Sequence, residues 1–212
     1  MSVWPASAQS AGTPLAKADK PSKAGQTATT VLVVGDSLSA EYGLARGTGW
    51  VALLDQRLQA RQPPVALVNA SISGDTTAGG RSRLPTLLKI HQPTHVVLEL
   101  GGNDALRGLD LRMTEANLSA MAQAALKAGA KVTVLGMQVP PNYGAAYGRD
   151  FSQLFVRVAR QHKAALVPFF LAGVADGPNP TALFQADRIH PNEQAQAQML
   201  DTVWPTLQPQ LP

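Results

Sequence analysis

The sequence predicts an α/β fold in which a five-stranded parallel sheet lies between two layers of helices, a three-layer αβα arrangement. Two observations predict it. Five short runs of β-branched and other apolar residues alternate with longer stretches that carry apolar residues at helical spacing. The connections between successive runs are long enough for the right-handed crossovers that join parallel strands. For a chain of 212 residues, the flavodoxin-like strand order 2-1-3-4-5 is the natural arrangement.

The first three strands are predicted where apolar runs end in glycine or in polar turn residues. A helix starting at Trp50 follows the first strand, since Leu54 and Leu58 recur at helical spacing and a pair of prolines stops it. A second helix runs through Leu84 and places Pro85 in its first turns. The three strands are predicted at 31–34, 65–68 and 95–100.

The remaining elements continue the alternation of strands and helices. Thr114 is predicted to cap a helix that ends before Gly129, because glycine is favoured just past a helix end. The last two strands are predicted at 132–135 and 165–167. Loops are predicted at 138–148 and 171–189, a helix at 151–161, and a final helix from about Pro191.

Residues 31–212 are predicted to form a single domain, because the pattern contains no second domain and no internal repeat. Residues 1–30 are rich in Ala, Ser, Lys, Thr, Pro and Gln, a composition that cannot bury enough apolar surface to become ordered. Within them, Ala6-Ser7-Ala8 matches the small-residue cleavage pattern of a secretory signal, without the usual basic and apolar segments before it. We therefore expect a disordered tail or the remnant of a signal peptide.

Composition and charge argue against several classes of function. The formal net charge is +4, but the first 30 residues hold three lysines against one aspartate. No run of Lys or Arg is interleaved with aromatic residues, so no nucleic-acid partner is expected. The chain has no cysteine, which excludes disulfides, thiolate metal sites and cysteine nucleophiles. No apolar run approaches the ~20 residues of a membrane span, so no stable membrane anchor is expected.

Residues suited to acyl transfer follow the predicted strands. In a doubly wound sheet, ligands bind outside the carboxyl ends of the strands, so residues at these positions are the natural candidates. A hydroxyl, a backbone N–H, a carboxamide, a carboxylate and an imidazole supply the nucleophile, oxyanion donors, orienting acid and general base of this chemistry. In chain order, these candidates are Ser37, Gly74, Asn103, Asp187 and His190.

Four motifs resemble the signature blocks of the SGNH (GDSL) hydrolase family. They are Gly-Asp-Ser-Leu-Ser at 35–39, Ser-Gly-Asp-Thr-Thr at 73–77, Gly-Gly-Asn-Asp at 101–104 and Asp-x-x-His at 187–190. The resemblance covers about residues 31–207, and the longer stretches 35–44, 99–108 and 141–144 are most similar to the bacterial thioesterase I, arylesterase and lysophospholipase branch. It implies the SGNH hydrolase fold and the hydrolysis of acyl, aryl or lysophospholipid esters and thioesters through a covalent acyl-enzyme.

The resemblance also implies roles for individual residues. Ser37 Oγ would attack the acyl carbonyl, His190 would act as general base and then acid, and Asp187 would orient the imidazole. The Ser37 N–H, the Gly74 N–H and the Asn103 amide would form the oxyanion hole. No metal and no cofactor are implied, and the partner is a small ester or thioester with an acyl chain. A periplasmic or secreted location is favoured over a cytoplasmic one, while the oligomeric state stays open.

Two apolar loops, at 105–111 and 137–147, are expected to border the same edge of the sheet. We predict that they line an acyl groove and that the first acts as a mobile flap. Packing of both loops on neighbouring helices explains their composition equally well. The predicted groove residues are Leu106, Val139, Pro140 and Tyr143.

Other polar residues are interpreted as structural. Asp36, Asp75 and Asp104 are expected to accept hydrogen bonds from nearby backbone N–H groups. His91 and His95 have the spacing of a zinc-binding helix, but a proline separates them and a strand begins at the second. Two further functions stay open at this point. One is a carbohydrate O-acetyl esterase or acyltransferase of the same fold, and the other is a binding module that has lost turnover.

Overall fold

One parallel sheet with the strand order β2-β1-β3-β4-β5 organises the fold, which confirms the predicted topology. The structure is a computed structural model that describes residues 29–212, so the tail predicted at 1–30 lies almost entirely outside the described residues. The strands are β1 (Thr30–Gly35), β2 (Ala66–Asn69), β3 (His95–Glu99), β4 (Lys131–Leu135) and β5 (Ala165–Val167).

The two central strands, β1 and β3, are the most deeply buried part of the sheet. The side chains of 31–34 and 96–98 have no exposed surface, and Val33 pairs with Val97 across the two strands. An uninterrupted run of branched apolar residues suits a strand that is covered on both faces. The edge strand β2 differs, because Ala66 and Asn69 are exposed.

Helices cover both faces of the sheet. On one side α1 packs against α6, and on the other side α2 packs against α4 and α4 against α5, which gives three layers. Among residues 29–212, no helix combines the length and apolar character that crossing a bilayer requires. The helices are α1 (Trp50–Gln59), α2 (Thr77–His91), α3 (Gly102–Leu106), α4 (Leu111–Lys127), α5 (Ala145–His162) and α6 (Gln196–Leu207), with short 3-10 turns at Pro141–Tyr143, Glu193–Ala195 and Gln208–Gln210.

Helix α2 begins earlier than the sequence pattern predicts. Its N-cap is Thr76, whose side chain accepts a hydrogen bond from the first turn, so Pro85 lies in the middle of the helix instead of in its first turns. Two consecutive glycines, which are poor helix formers, obscure this start in the sequence. Packing explains one of them, since a Cβ on Gly80 would lie 2.3 Å from Leu100 Cδ1. Glycine therefore lets α2 approach the sheet closely.

Helix α4 also begins before its predicted cap. Asp110 is the N-cap, and its carboxylate accepts a hydrogen bond from the backbone N–H of Arg112 at 2.8 Å. Thr114 is instead buried in the first turn and donates to Asp104 Oδ1 at 3.2 Å. The prediction that Thr114 caps the helix is wrong, because a tertiary contact occupies its hydroxyl.

The loops predicted at 105–111 and 138–148 are partly helical. Helix α3 includes Leu106, so the predicted flap starts in a helical turn. Helix α5 begins at Ala145, six residues before its predicted start. The ring of Tyr147 stacks on that of Phe151 with centroids 6.5 Å apart, one helical turn further on. Glycines on either side of this tyrosine hid the helix from a pattern-based prediction.

Candidate active site

All five predicted site residues lie at the carboxyl edge of the sheet. Ser37 follows β1, Gly74 follows β2, and Asn103 lies in α3 directly after β3. Asp187 and His190 belong to the long connection between β5 and α6. The parallel strands all point toward this edge, so short extensions of each strand bring residues from distant parts of the chain together.

Ser37, His190 and Asp187 form a continuous chain of hydrogen bonds. The Nε2 atom of His190 lies 3.0 Å from Ser37 Oγ, and its Nδ1 atom lies 2.6 Å from Asp187 Oδ2. An ionised carboxylate can only accept, so the imidazole donates from Nδ1 to Asp187 and leaves Nε2 free to accept the serine proton. This arrangement is the one that activates a serine nucleophile.

A tight turn presents Asp187 and His190 on the same side, and we call residues 187–190 the acid–base turn. Arg188, at its centre, adopts a left-handed backbone with φ of 58°. The second carboxylate oxygen of Asp187 accepts from the N–H groups of Ile189 and His190 at 2.9 and 3.0 Å. The hydrogen bond from the imidazole and these two backbone donors lower the pKa of Asp187 to about 2. The carboxylate is therefore ionised at neutral pH.

Tyr42 is a site residue that analysis of the sequence did not single out. Its ring lies against the imidazole of His190, with centroids 4.4 Å apart and planes tilted by 38°. The carbonyl of Tyr42 also accepts a hydrogen bond from Gln185 Nε2 at 2.9 Å. These contacts join the segment after β1 to the acid–base turn. The only sequence signal was the position of Tyr42 within the stretch 35–44.

The nucleophile loop, residues 35–39, rests on a buried carboxyl group at the end of β3. Glu99 Oε2 accepts hydrogen bonds from the Asp36 N–H at 3.2 Å and from Ser39 Oγ at 2.7 Å. The indole N–H of Trp50 donates to the same Ser39 hydroxyl at 3.2 Å. A Cβ on Gly35 would lie 2.6 Å from Glu99 Oε2, so this close approach requires glycine. An isolated acid that ends an otherwise apolar strand was the signal for Glu99 in the sequence.

Burial raises the pKa values of two carboxyl groups, that of Asp36 in the nucleophile loop and that of Glu99 beneath it. Desolvation raises the pKa of Asp36 to about 6, although hydrogen bonds from Leu38 and Asn103 and the nearby His190 oppose the shift. Desolvation, together with the charge of Asp36, raises the pKa of Glu99 well above its ordinary value. Both shifts have the same sign, because each buried carboxylate has lost water that would stabilise its charge.

Asn103 and Gly74 are two of the three residues predicted to donate hydrogen bonds to an oxyanion. The side-chain amide of Asn103 donates to Asp36 Oδ2 at 3.0 Å, which fixes the orientation of the amide and leaves its second N–H available. Gly74 has φ of 78°, a left-handed conformation that favours glycine. A Cβ at this position would meet only Arg107 Nη2, at 3.6 Å, so the backbone and not lack of space accounts for the glycine.

The three neighbouring aspartates behave differently from one another. Asp36 Oδ1 accepts from the Leu38 N–H at 3.1 Å, a local bond of the predicted kind. Asp75 accepts from the Thr76 N–H at 2.9 Å and also binds an arginine. The prediction of local bonds is wrong for Asp104. Its carboxylate instead binds Thr77, in the first turn of α2, through both the N–H and the hydroxyl, because α2 and α3 meet there.

The structure brings together only some of the predicted groove residues. Val139 and Pro140 line a depression of about 300 Å³ that continues along the first turns of α5 to Arg149. Tyr143 and Leu106 are not among its lining residues. The ring of Tyr143 stacks on that of Tyr147, with centroids 5.9 Å apart, and Leu106 is 49% exposed.

His95, one of the two histidines with zinc-helix spacing, has structural partners. His95 Nδ1 lies 2.8 Å from the Thr94 hydroxyl, and its Nε2 lies 2.9 Å from the Gln210 carbonyl. These contacts fasten the start of β3 to the C-terminal segment. Within the described part of the chain, no three His, Cys, Asp or Glu side chains are grouped so that they could hold a metal ion.

Comparisons with known proteins agree with this fold and this set of motifs. The sequence profile of the GDSL-like Lipase/Acylhydrolase family matches residues 33–198. The chain belongs to this family. The resemblance inferred from the four motifs is thereby confirmed, and membership makes the protein a carboxylic ester hydrolase.

Individual relatives of this GDSL hydrolase share most of its length. Esterase TesA of Pseudomonas aeruginosa is 54% identical over 184 residues, which is 87% of this chain and 90% of the relative. Thioesterase 1/protease 1/lysophospholipase L1 of Escherichia coli K12 is 42% identical over 182 residues, 86% of this chain and 85% of the relative. The crystal structure of TesA has a TM-score of 0.82 at 54% identity and covers 86% of this chain and 100% of its own.

Proposed function

We propose that this esterase cleaves acyl esters and thioesters through a covalent acyl-enzyme formed on Ser37. One observation carries the proposal, the hydrogen-bonded chain from Ser37 Oγ through His190 to Asp187, with distances of 3.0 and 2.6 Å. A serine hydroxyl is a weak nucleophile until a base within hydrogen-bond reach accepts its proton. His190 is that base, and it lies at the sheet edge where ligands of such folds bind.

Acylation begins when Ser37 Oγ attacks the acyl carbonyl and its proton passes to His190 Nε2. The tetrahedral intermediate collapses, the bond to the leaving group breaks, and Nε2 returns the proton to the departing alcohol or thiol. In deacylation a water gives its proton to Nε2 and attacks the acyl-enzyme. The same proton then returns to Ser37 Oγ as the carboxylic acid leaves, so the enzyme ends in its starting state.

The oxyanion of each tetrahedral intermediate is assigned to three neutral donors. These are the Ser37 N–H, the Gly74 N–H and the Asn103 amide, each from the segment that follows a different strand. Neutral donors that are already oriented stabilise developing charge without reorganisation during the reaction. The bond from Asn103 to Asp36 supports this assignment because it fixes one N–H of the amide and thus the direction of the other.

Asp187 is assigned the role of the orienting acid. Three hydrogen-bond donors from the acid–base turn keep its carboxylate ionised, so it stabilises the imidazolium that forms when the serine proton is transferred. It does not itself take up a proton. Tyr42 supports the same step, since the face of an aromatic ring attracts a cation that lies against it.

The substrate class follows from the relatives and from the apolar edge. Relatives at 54% and 42% identity are named an esterase and a thioesterase and lysophospholipase. We extend this range to the present chain, with small aryl esters included, and place the acyl chain along Val139 and Pro140. Leu106 and Tyr143 are proposed to contact the chain from α3 and from the 3-10 turn, where Leu106 already exposes half of its surface.

Covalent labelling tests the mechanism directly. A fluorophosphonate probe should attach to Ser37, as located by peptide mass spectrometry, and abolish hydrolysis of a 4-nitrophenyl ester. Ser37→Ala should remain unlabelled, lose turnover by about 10⁴-fold or more, and keep the circular dichroism spectrum of the wild type. If Ser37→Ala keeps the full rate, the serine mechanism is wrong.

Residues 31–212 are further proposed to act as a single hydrolase domain that is exported to the periplasm or the medium. The small-residue pattern Ala6-Ser7-Ala8 supports export, although it lies outside the described residues. Mass spectrometry of the N-terminus of protein recovered from each cell fraction tests this. An unprocessed N-terminus found only in the cytoplasm contradicts the proposal.

A further inference from the structure

The three proposed oxyanion donors lie on three separate segments, two loops and helix α3, so their relative position depends on what joins those segments. The main-chain pairing of β1 with β2 ends at Val33 and Asn69. Beyond it, two backbone bonds continue the contact, from Ala70 N–H to the Val33 carbonyl at 2.9 Å and from Ile72 N–H to the Gly35 carbonyl at 3.1 Å. Ile72 is thus the last residue of the Gly74 loop (residues 71–75) that contacts β1, and the rest of the loop leaves the sheet.

One arginine of α2 joins these segments. Arg83 Nε donates to Asp75 Oδ2 at 2.8 Å, and its Nη2 donates to the Gly35 carbonyl at 3.3 Å. Its Nη1 donates to the carbonyl of Ala70. Gly35 comes two residues before Ser37, while Ala70 and Asp75 lie on either side of Gly74. A single guanidinium therefore binds the end of the nucleophile strand and both ends of the loop that carries the second donor.

The surroundings of Arg83 distinguish it from the surface ion pairs of this protein. The side chains of Arg83 and Asp75 are 20% and 12% exposed, whereas those of Arg112 and Asp110 are 91% and 47% exposed. Exposed ion pairs contribute little to stability because water and salt screen them. A largely buried, hydrogen-bonded ion pair keeps its geometry. Asp75 balances the charge of Arg83, so the main effect of the guanidinium is to fix the positions of the segments that it binds.

We propose that Arg83 is a positioning residue that sets the distance between the Ser37 N–H and the Gly74 N–H of the oxyanion hole. The inference rests on the proposed function, since it assigns Arg83 a role in the same reaction. A planar fork with donors in fixed directions can reach all three acceptors, whereas a lysine ammonium acts as a single point charge. Displacement of the donors would weaken binding of the oxyanion more than binding of the ester.

The test compares Arg83→Lys and Asp75→Asn with the wild type and with Arg157→Gln. Arg157 is a matched control because it binds Glu115 with three hydrogen bonds, at 3.0, 3.1 and 2.7 Å, on the face formed by α4 and α5. Rates are measured with a 4-nitrophenyl ester of a short acyl chain and divided by the number of active sites titrated with a fluorophosphonate. This division removes any loss that comes only from misfolded protein.

Arg83→Lys should lower kcat by about 10- to 100-fold, less than the ~10²–10³-fold cost of removing one donor outright, and leave KM within about twofold. Affinity for a trifluoromethyl ketone, which binds as an oxyanion, should fall by the same factor as kcat/KM. Asp75→Asn should show a smaller loss of the same kind. The double variant should lose no more than Arg83→Lys alone, because both changes disrupt one contact. Arg157→Gln should match the wild type.

Two results would overturn the inference. One is a kcat per titrated site within twofold of wild type in Arg83→Lys, or in Asp75→Asn if the first variant does not fold. The other is a loss that appears in KM while the ketone affinity stays unchanged. Ser37→Ala is assayed alongside. If it loses turnover while the Arg83 and Asp75 variants do not, the inference about Arg83 fails and the serine mechanism stands; if Ser37→Ala keeps its rate, the proposed function itself fails.

Discussion

Asp36 precedes Ser37 in the chain and Asp187 binds His190, and the pKa values of their carboxyl groups are shifted in opposite directions. Asp36, in the nucleophile loop, is buried and has its pKa raised to about 6, mainly by desolvation. Asp187, in the acid–base turn, has a side chain that is 37% exposed, and hydrogen bonds lower its pKa to about 2. The imidazole of His190 and two backbone donors stabilise the charge of Asp187, while Asp36 has lost most of its water.

The two parts of the site therefore depend on different parts of the protein for their geometry. The nucleophile loop rests on the sheet through Glu99 and Trp50, so its geometry depends on the core. The acid–base turn lies on the surface, held by its own hydrogen bonds and by the ring of Tyr42. We expect changes in the turn to affect catalysis with little effect on stability, and changes beneath the loop to affect stability as well.

The largest effect is expected for His190→Ala. Without a base, the acylation rate should fall by about 10⁴–10⁶-fold, while the thermal unfolding midpoint should shift by less than about 2 °C, because the turn contributes little to the core. Stopped assays with a 4-nitrophenyl ester and differential scanning calorimetry measure the two quantities.

Asp187→Ala is the companion to this variant and should retain more activity than His190→Ala, because the acid orients the imidazole and does not react. If either variant unfolds many degrees earlier than the wild type, the acid–base turn carries stability, and the comparison with the nucleophile loop is wrong.

Asn103→Ala removes the proposed oxyanion donor whose amide is hydrogen-bonded to the nucleophile loop. Loss of one oxyanion donor should lower kcat by about 10²–10³-fold with KM nearly unchanged. The variant also frees Asp36 Oδ2 from a hydrogen bond that lowers its pKa, so the pKa of Asp36 should rise further. NMR titration of the Asp36 carboxyl carbon in both proteins checks this, and an unchanged titration would show that the amide does not bind Asp36 in solution.

The buried carboxyl groups of Asp36 and Glu99 should make the free energy of unfolding depend on pH. A carboxyl whose folded pKa is raised contributes stability that is fully present below its unfolded pKa and is lost as the pH rises through the folded value. For Asp36, with a shift from 3.8 to about 6, the loss between pH 4 and 7 is on the order of 3 kcal/mol. The raised pKa of Glu99 contributes a further loss of the same sign. Asp187 acts in the opposite direction, and its contribution disappears only as the pH falls toward 2.

Urea unfolding of the wild type and of Glu99→Gln at several pH values measures this loss. Glutamine keeps an oxygen for the Asp36 N–H and the Ser39 hydroxyl but carries no charge. The unfolding free energy of Glu99→Gln should therefore fall less with rising pH than that of the wild type. Parallel curves for the two proteins would mean that Glu99 does not titrate in this range.

The smallest effect is expected at the exposed apolar rim. Leu106→Ala should shift the preferred acyl length in a series from acetyl to dodecanoyl esters by up to about 10-fold in relative kcat/KM. Leu126→Ala is the matched control. This leucine is also partly exposed, but it lies near the C-terminal end of α4, whereas Leu106 precedes the start of that helix. If both variants keep the wild-type profile, Leu106 does not contact the acyl chain.

Much of the fold could be predicted because its signals are local. The apolar runs at 31–34 and 165–167 lie in the observed β1 and β5, since β-branched residues between turn formers favour strands over short distances. The helix starts at Thr77 and Ala145 were missed because glycines lie near both of them. Tertiary packing or a left-handed backbone angle accounts for these glycines, and neither can be recognised in the local sequence. The placement of Ser37, Asn103 and His190 at one edge followed from the strand ends alone.

The sequence by itself determined the sheet order, the family and the residues that follow each strand, because periodicity and motifs are properties of neighbouring residues. Only the tertiary structure decided that Tyr42 lies on the imidazole, that Glu99 supports the nucleophile loop and that Arg83 bridges two strand ends. It also decided the opposite titration of Asp36 and Asp187. The physical reason is that desolvation and hydrogen bonding depend on distances between atoms that are far apart along the chain, and no local pattern encodes those distances.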